Sequence, residues 1–434
     1  MRVLVLGAGV SGMAATRLAR RHGHAVTVFD EAVVPQASLL GMGVGVVTGG
    51  WDPGLLEGVD LVVASPGFPE RSLPVVDALE AGIPIWSEIE FGWRLAGNRP
   101  VVAVTGTNGK TTVTRLTTEI LTGSGMRAVA AGNIGTAFSD VVEDDWQLAV
   151  VEMSSFQLRF IDRFHPVGAA VLNVATDHLD WHGSAEAYRA AKARIFQRQT
   201  PDDLLVFDVD DPGAAAVVRP AEARLHPVSA TRRPPGGSGV EGGNLSLPGM
   251  SIPLEEMGST DPAHVVDQAA AAVLALDRGA SAEAVRSSLR SFSPSPHRRT
   301  LVATVGGVQY VDDSKATNPH AALAAAAAYP SVVLIAGGLA KGLDLTPLAH
   351  IPNLVALVGI GTAGPELARA ARDRGYTAGT MEEAVGRAAS LAQPGDTILL
   401  APGAASFDQF GSYAERGDSF VAAVRRLERQ DPQR

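Results

Sequence analysis

One stretch restricts the possible folds of this chain more than any other: Thr105-Gly106-Thr107-Asn108-Gly109-Lys110-Thr111-Thr112. It follows an apolar run, Pro100 to Val104, and leads into a segment with apolar residues at Val113, Leu116, Ile120 and Leu121, a helical spacing. Strand, glycine turn, lysine, hydroxyl, helix is the order a phosphate cradle requires. The turn's backbone N–H groups and the helix N-terminus face the anion, Lys110 reaches the terminal phosphates, and a threonine hydroxyl such as that of Thr111 can hold Mg²⁺. The strict pattern G-x-x-x-x-G-K-[ST] is not met, because its first glycine falls on Val104. The stretch reads as a nucleoside triphosphate site built on Thr107, Asn108, Gly109, Lys110, Thr111 and Thr112.

A chain of 434 residues is long enough for about three domains, each with its own core. Its net charge of −10 argues against a general nucleic-acid binder, which needs a basic face. The absence of cysteine excludes disulfides, thiolate metal sites and a cysteine nucleophile. The chain opens on a strand, Arg2 to Leu6, rather than a basic leader, so a cytoplasmic protein is expected. The most apolar long window, Ala321 to Ala340, is interrupted by Tyr329-Pro330 and reads as a helix and a buried strand, with no membrane span.

In the first domain, placed at residues 1–94, Val3 to Leu6 run into Gly7-Ala8-Gly9-Val10-Ser11-Gly12, then a helix (Met13 to Arg21) and a strand (Ala25 to Phe29) ending on Asp30. This is a Rossmann arrangement with an acid where a ribose hydroxyl would sit. By itself it suggests an NAD-dependent dehydrogenase, but any nucleotide diphosphate could use the same helix N-terminus. A further strand, Asp60 to Ala64, ends in Ser65-Pro66-Gly67, where α/β folds place ligands. The linker is Gly97-Asn98-Arg99-Pro100.

The second domain, residues 95–293, carries the phosphate loop. The strand Leu148 to Val151 ends on Glu152, where a Mg²⁺-associated carboxylate belongs after such a loop. Ala169 to Val174 lead to Asp177-His178-Leu179-Asp180, and Tyr188 to Phe196 form a helix whose Lys192 reads as solvated. Arg232 to Gly243 read as a surface loop, and Ala263 to Leu276 as an alanine-rich helix bearing His264, Asp267 and Gln268. The third domain, residues 294–434, opens with His297-Arg298 and a hairpin, Thr300 to Val305 with Val308 to Val311. Polar clusters follow its strands at Asp312 to Pro319, at Gly337-Gly338 with Lys341, and at Pro402 to Phe410. The expected class is α/β with three domains: N-terminal Rossmann-like, central P-loop ATPase-like with a parallel sheet, and C-terminal Rossmann-like.

Taken together, TGTNGKTT (105–112), EMSSFQL (152–158), NVATDHLD (173–180), YRAAKARIF (188–196), HR (297–298), DDSKATN (312–318) and SFDQFGSYAERG (406–417) resemble the Mur ligase family throughout the chain. GAGVSG with DSKATN and SFDQF looks most like its MurD type, which joins D-glutamate to UDP-N-acetylmuramoyl-L-alanine in cytoplasmic peptidoglycan synthesis. The resemblance implies an ATP- and Mg²⁺-dependent ligase, two metal sites, and catalytic roles for Lys110, Glu152, His178 and Lys192. Thr111, Glu152, His178 and Lys192 would belong to the metal sites, Lys192 as a carbamate, a carboxylate where an ammonium would repel the ion. Gln268, Arg298, Asp313 and Lys315 match nucleotide-contacting positions. Ser11, Asp30, Ser65, Pro66, Gly67 and Asn133 match sugar-nucleotide contacts, and Thr317, Lys341, Ser406 and Tyr413 match positions that receive glutamate. The family segment H-N-x-x-N reads His264-Val265-Val266-Asp267-Gln268 here, so both asparagines are replaced. The default expectation is a monomer without nucleic-acid or membrane partners. The rival readings are the same chemistry with L-glutamate or another acceptor, a dehydrogenase, and a silent sugar-nucleotide-binding paralogue.

Overall fold

The computed structural model describes residues 1–32, 39 and 41–430. Among these, the strands form three sheets. Two of the sheets lie in a first compact body, Met1–Val174 with Trp181–Phe292; the third lies in a second body, which takes Ala175–Asp180 and the chain from Ser293 on.

The first sheet contains β1 (Arg2–Leu6), β2 (Ala25–Asp30), β3 (Gly45–Thr48), β4 (Leu61–Ala64) and β5 (Ile85–Ser87), in the order β3-β2-β1-β4-β5 and parallel throughout. Val3 to Leu6 and Leu61 to Ala64 are buried on both faces, as parallel strands covered by helices must be. The order reverses between β1 and β4, and ligands of such folds bind at that switch point. Gly7 turns the chain at φ +96°, and a Cβ on Gly12 would lie 1.8 Å from the Gly7 carbonyl oxygen. Gly7 is therefore dictated by its torsion and Gly12 by close backbone approach.

The central sheet runs β14-β13-β12-β11-β10-β9-β6-β8-β7. Its strands are β6 (Val101–Thr105), β7 (Ala128–Gly132), β8 (Leu148–Glu152), β9 (Gly168–Val171), β10 (Leu204–Asp208), β11 (Arg224–Ser229), β12 (Ser238–Glu241), β13 (Asn244–Leu247) and β14 (Met250–Pro253). It is parallel from β7 to β12 and antiparallel beyond. The surface loop expected at Arg232 to Gly243 is corrected here, because Ser238 to Glu241 form β12 between β11 and β13. Gly239 disguised it: a Cβ there would meet the Arg232 carbonyl oxygen at 2.1 Å, so glycine permits close approach rather than freedom. The expected strand to Val174 stops at Val171, after which Asn173 turns back onto the phosphate loop. The helix Pro262–Asp277 is buried from His264 to Ala275 and packs on the helix Lys110–Gly123. That burial is why its sequence is apolar nearly all round.

Within the first body the two sheets are joined by buried polar contacts. The Glu90 carboxylate accepts the backbone N–H groups of Asp162, Arg163 and Phe164 at 3.0, 3.0 and 2.9 Å. Neighbouring Glu88 is also buried; Oε1 accepts from Ser139 N–H while Oε2 lacks a partner. Burial pushes the Glu88 carboxyl up to about 7.

The second body is built on β15 (Thr300–Val305), β16 (Val308–Asp312), β17 (Val332–Gly337), β18 (Leu354–Ile360), β19 (Gly375–Thr377) and β20 (Thr397–Leu400), ordered β15-β16-β20-β17-β18-β19. The β15–β16 hairpin is antiparallel and the rest parallel. The window Ala321 to Ala340 divides into the helix Pro319–Ala326 and β17, and no described helix is long and apolar enough to cross a membrane.

Candidate active site

The phosphate loop follows β6, which lies between β9 and β8, where the strand order of the central sheet reverses. Gly109 caps the helix Lys110–Gly123 at φ +84°, and no side chain caps its first turn. A Cβ on Gly109 would lie 2.4 Å from Asp267 Oδ1 and 2.9 Å from Leu172 Cδ1. Only glycine fits, on grounds of both torsion and space. The Lys110 ammonium donates to the Gly106 and Thr107 carbonyls at 2.8 and 3.0 Å. Asn173 clamps the loop: Oδ1 accepts Asn108 N–H at 2.7 Å, Nδ2 donates to the Asn108 carbonyl at 3.2 Å, and its own carbonyl accepts Thr107 N–H at 2.8 Å. The Thr107 hydroxyl lies 3.0 Å from the Tyr188 hydroxyl. Thr111 and Thr112 are half-buried on the first helical turn.

The β6–β8 register sets Glu152 opposite Val104, next to this loop. Glu152 is only 2% exposed; Oε1 accepts from Asn133 Nδ2 at 3.0 Å and Oε2 is buried without a partner. Asn133 thus engages the acid, and it is not among the residues that line the cavity at the first sheet's switch point described below. The solvated reading of Lys192 is overturned: it is 1% exposed, because Tyr188, Ala191 and Lys192 form the inward face of the helix Ala185–Ala193. Its Nζ lies 3.4 Å from Thr105 Oγ1 and 4.8 Å from the Tyr188 ring centre, while Thr105 Oγ1 donates to the Met153 carbonyl at 2.9 Å. Lys192 and Glu152 therefore meet the ends of the strands flanking the loop.

An orphaned carboxylate oxygen beside a phosphate cradle suits a hard cation. Among the described residues no three His, Asp or Glu side chains gather as a metal-binding group. The local donors are one carboxylate and a threonine hydroxyl, the sparse set typical of Mg²⁺ sites completed by phosphate and water. His178 belongs to the second body, at φ +52°, with its N–H bonded to Asp177 Oδ1 at 2.9 Å. In the same segment Asp177 Oδ2 accepts from Asn318 Nδ2 at 3.4 Å.

Gln268 is fully buried, with its Nε2 donating to the Ser259 and His264 carbonyls at 2.9 and 3.2 Å and its Oε1 lacking a partner. Asp267 and Asn173, which contact the loop directly, received no role from the sequence; the signal for Asn173 was its place just past a strand end.

At the first sheet's switch point lies a cavity of ≈ 660 Å³ lined by Gly7, Gly9, Val10, Ser11, Asp30, Ser65, Pro66 and Gly67, among others. The Asp30 carboxylate accepts Ala8 N–H at 2.8 Å and Ala32 N–H at 2.9 Å, fixing the glycine turn as well as facing the cavity. The helix Val10–Arg21 has no side-chain cap, a Cβ on Gly9 would meet nothing within 4 Å, and Ser65 Oγ is buried without a partner. Open N–H groups and an orphaned hydroxyl suit a diphosphate.

In the second body, Arg298 just precedes the hairpin, and Asp313, Lys315 and Thr317 lie just past its exit. Burial pushes the Asp313 carboxyl up to about 6 against the opposing pull of Arg299 and Arg298. Lys315 donates to Ser295 Oγ at 3.4 Å and lies 5.7 Å from the Tyr413 ring centre. Lys341 sits at φ +51° with Nζ 5.4 Å from the Phe407 ring centre, and Ser406 is buried. Arg416, which the sequence did not single out, organises these loops. It is 1% exposed and donates to Ser314 Oγ at 3.0 Å, the Ser314 carbonyl at 2.9 Å and the Ala404 carbonyl at 3.1 Å. Burial lowers its guanidinium to about 10.

The chain belongs to the Mur ligase family. The family model of the Mur ligase MurD-like N-terminal domain matches residues 1–87, that of the Mur ligase middle domain 104–231, and that of the Mur ligase glutamate ligase domain 263–404. Within the family, it is 43% identical to a protein of Frankia casuarinae named UDP-N-acetylmuramoylalanine--D-glutamate ligase, over 98% of this chain and 94% of that one. A protein of the same name from Mycobacterium avium is 40% identical over 98% and 96%. Among solved structures, a pseudomurein peptide ligase type C from Methanothermus fervidus shares the fold with a TM-score of 0.58 at 19% identity, over 98% of this chain and 99% of that one.

Proposed function

We propose that this protein is the ATP-dependent ligase that adds D-glutamate to UDP-N-acetylmuramoyl-L-alanine, in cytoplasmic peptidoglycan synthesis. The observation that carries the reading is the orphaned Glu152 oxygen next to a lysine-bearing phosphate loop, within a chain that is 43% identical to a ligase of that name.

The chemistry follows from the parts. The γ-phosphoryl group of ATP passes to the muramoyl-alanine carboxylate, giving an acyl phosphate and ADP. The glutamate amine then attacks the acyl carbon, and the tetrahedral adduct collapses to amide and phosphate, the amine's proton leaving to solvent. The first step joins two anions, so positive charge and alignment provide the catalysis. Loop N–H groups and Lys110 hold the phosphates. Glu152 and Thr111 would hold Mg²⁺, with Lys192 as a carbamate adding a further anionic oxygen donor; the ion would supply charge neutralisation between the reacting anions. Gly9, Ser11, Asp30, Ser65 and Gly67 bind the nucleotide diphosphate, so the glycine-rich turn serves UDP rather than a nicotinamide cofactor. Thr317, Lys341, Ser406 and Tyr413 receive the amino acid, and Lys315, at a nucleotide-contacting position beside Tyr413, adds a second cation near its two carboxylates.

The test is phosphate release from ATP with UDP-N-acetylmuramoyl-L-alanine and either D-glutamate, L-glutamate or no amino acid. Release that requires both substrates and prefers D-glutamate is expected. Release with L-glutamate alone would move the enzyme to another step, and no release with any amino acid would sink the reading.

A further inference from the structure

In the sheet of the second body, β17 lies between β20 and β18, and the loops leaving the C-terminal ends of these three neighbours are tied together. The loop after β17 carries Gly338, Leu339 and Lys341. The loop after β20 carries Ser406, Phe407 and Asp408, and the loop after β18 runs through Gly361, Thr362 and Ala363. Neither Asp408 nor the β18 loop has a part in the ligase chemistry derived so far.

The loops are joined in pairs. Leu339 and Ala405 exchange backbone hydrogen bonds, 2.9 Å from Leu339 N–H and 3.1 Å from Ala405 N–H. The Gly338 carbonyl accepts Ala363 N–H at 3.1 Å. The third link runs from the β20 loop to the β18 loop, where Asp408 Oδ2 accepts Thr362 N–H at 2.7 Å. These links close a ring, with the Lys341 loop held from both sides. Missing side chains make the approach possible. A Cβ on Gly361, at φ +60°, would lie 2.4 Å from Asp408 Oδ2 and 2.9 Å from Gly338 Cα, and one on Gly338 would lie 2.4 Å from the Ala405 carbonyl oxygen.

Two of the links are backbone to backbone, whereas the third is a carboxylate whose other oxygen, Oδ1, is buried without a hydrogen-bond partner. Burying such an oxygen is unfavourable, and the attraction between Asp408 and the Arg416 guanidinium offsets part of the cost. The ring also bears on the cation of the loop it encloses. Lys341 stands at φ +51° with its ammonium 5.4 Å from the ring centre of Phe407, the residue next to Asp408. A shift of the β20 loop therefore moves both Ser406 and the platform beside the Lys341 ammonium.

We propose that Asp408 is a positioning residue: by closing this ring it sets the Lys341 ammonium and the Ser406 hydroxyl for the carboxylates of the incoming amino acid, without touching the amino acid itself. The inference rests on the amino-acid-binding role proposed for Lys341 and Ser406.

The test compares the parent with Asp408→Ala, which opens the ring, and Asp408→Asn, whose amide oxygen can still accept Thr362 N–H. Phosphate release is measured with each substrate varied in turn, and thermal midpoints check the fold. Because a misplacement of about 1 Å in a binding group costs on the order of 10²-fold, Asp408→Ala is expected to raise KM for D-glutamate by about tenfold or more. KM for ATP and for the sugar nucleotide should stay near the parent values, and Asp408→Asn should recover most of the loss. Equal changes in all three KM values, a fall in kcat alone, or no recovery in Asp408→Asn overturns the proposal. Amide exchange around Thr362, followed without substrates, separates the ring from the ligase reading. If the parent releases no phosphate, the ligase reading falls and takes the amino-acid role with it, while exchange accelerated only in Asp408→Ala retains the ring. Equally slow exchange in all three proteins overturns the ring whatever the activity.

Discussion

Asn133 grips Glu152 twice: its Nδ2 donates to Oε1 at 3.0 Å and its backbone N–H to the Glu152 carbonyl at 3.0 Å. The asparagine thereby fixes which carboxylate oxygen remains for a cation.

Glu152→Gln should lower the rate of phosphate release by roughly 10²-fold or more, since a neutral amide cannot offset a cation between two anions. Asn133→Ala should cost less, about tenfold, and raise the Mg²⁺ concentration needed for half-maximal rate. Mg²⁺ titrations of both variants, with thermal melts as a fold control, decide the matter. An unchanged Mg²⁺ requirement in Glu152→Gln would remove the acid from the metal site.

Lys192 is expected to carry a carbamate. Protein equilibrated with ¹³C-labelled bicarbonate should show a carbamate resonance that Lys192→Ala lacks, and bicarbonate depletion should slow the enzyme reversibly. A resonance that persists in Lys192→Ala would place the modification elsewhere.

Gly109→Ala combines two penalties, a left-handed torsion and a Cβ 2.4 Å from Asp267 Oδ1. The torsion alone costs about 1–2 kcal/mol. ATP affinity should fall at least tenfold while sugar-nucleotide binding in the other cavity is retained. Adding Asp267→Ala should recover part of the stability, the collision, and leave the torsional part. Urea denaturation of the single and double variants measures both; full recovery would show that torsion is unimportant.

Glu88 makes stability depend on pH. Its folded carboxyl is raised from 4.5 to about 7, so between those values the folded protein binds more protons than the unfolded chain. Stability from this group is fully present below about 4.5 and is lost as pH rises through about 7. Glu88→Gln should therefore be more stable than the parent at pH 8 by about 1–3 kcal/mol, with the gap closing toward pH 5. A constant gap across that range in urea melts would refute the assignment.

The sheets were legible because parallel strands buried on both faces leave continuous apolar runs, as at Val3 to Leu6 and Val332 to Ala336. β12 was not, since Ser238-Gly239 pairs through close backbone approach and not through apolar side chains. In the site, the glycine, lysine and hydroxyl order of the phosphate loop announced itself, since backbone geometry demands those residue types at adjacent positions. Burial of Lys192 was hidden, because a lysine on a helix carries no local mark of the face it occupies; family resemblance, not periodicity, flagged it. Asn173 and Arg416 act on loops remote in sequence, a relation visible only once the chain is folded.

The Arg416 guanidinium holds Ser314 and Ala404 through neutral oxygen acceptors, and Ser314 Oγ in turn donates to the Tyr413 carbonyl at 2.7 Å. Three segments that diverge in the chain are thus tied into one mechanical unit. Replacement of any one of them by a relative's segment should therefore disturb these loops more than replacement of all three together.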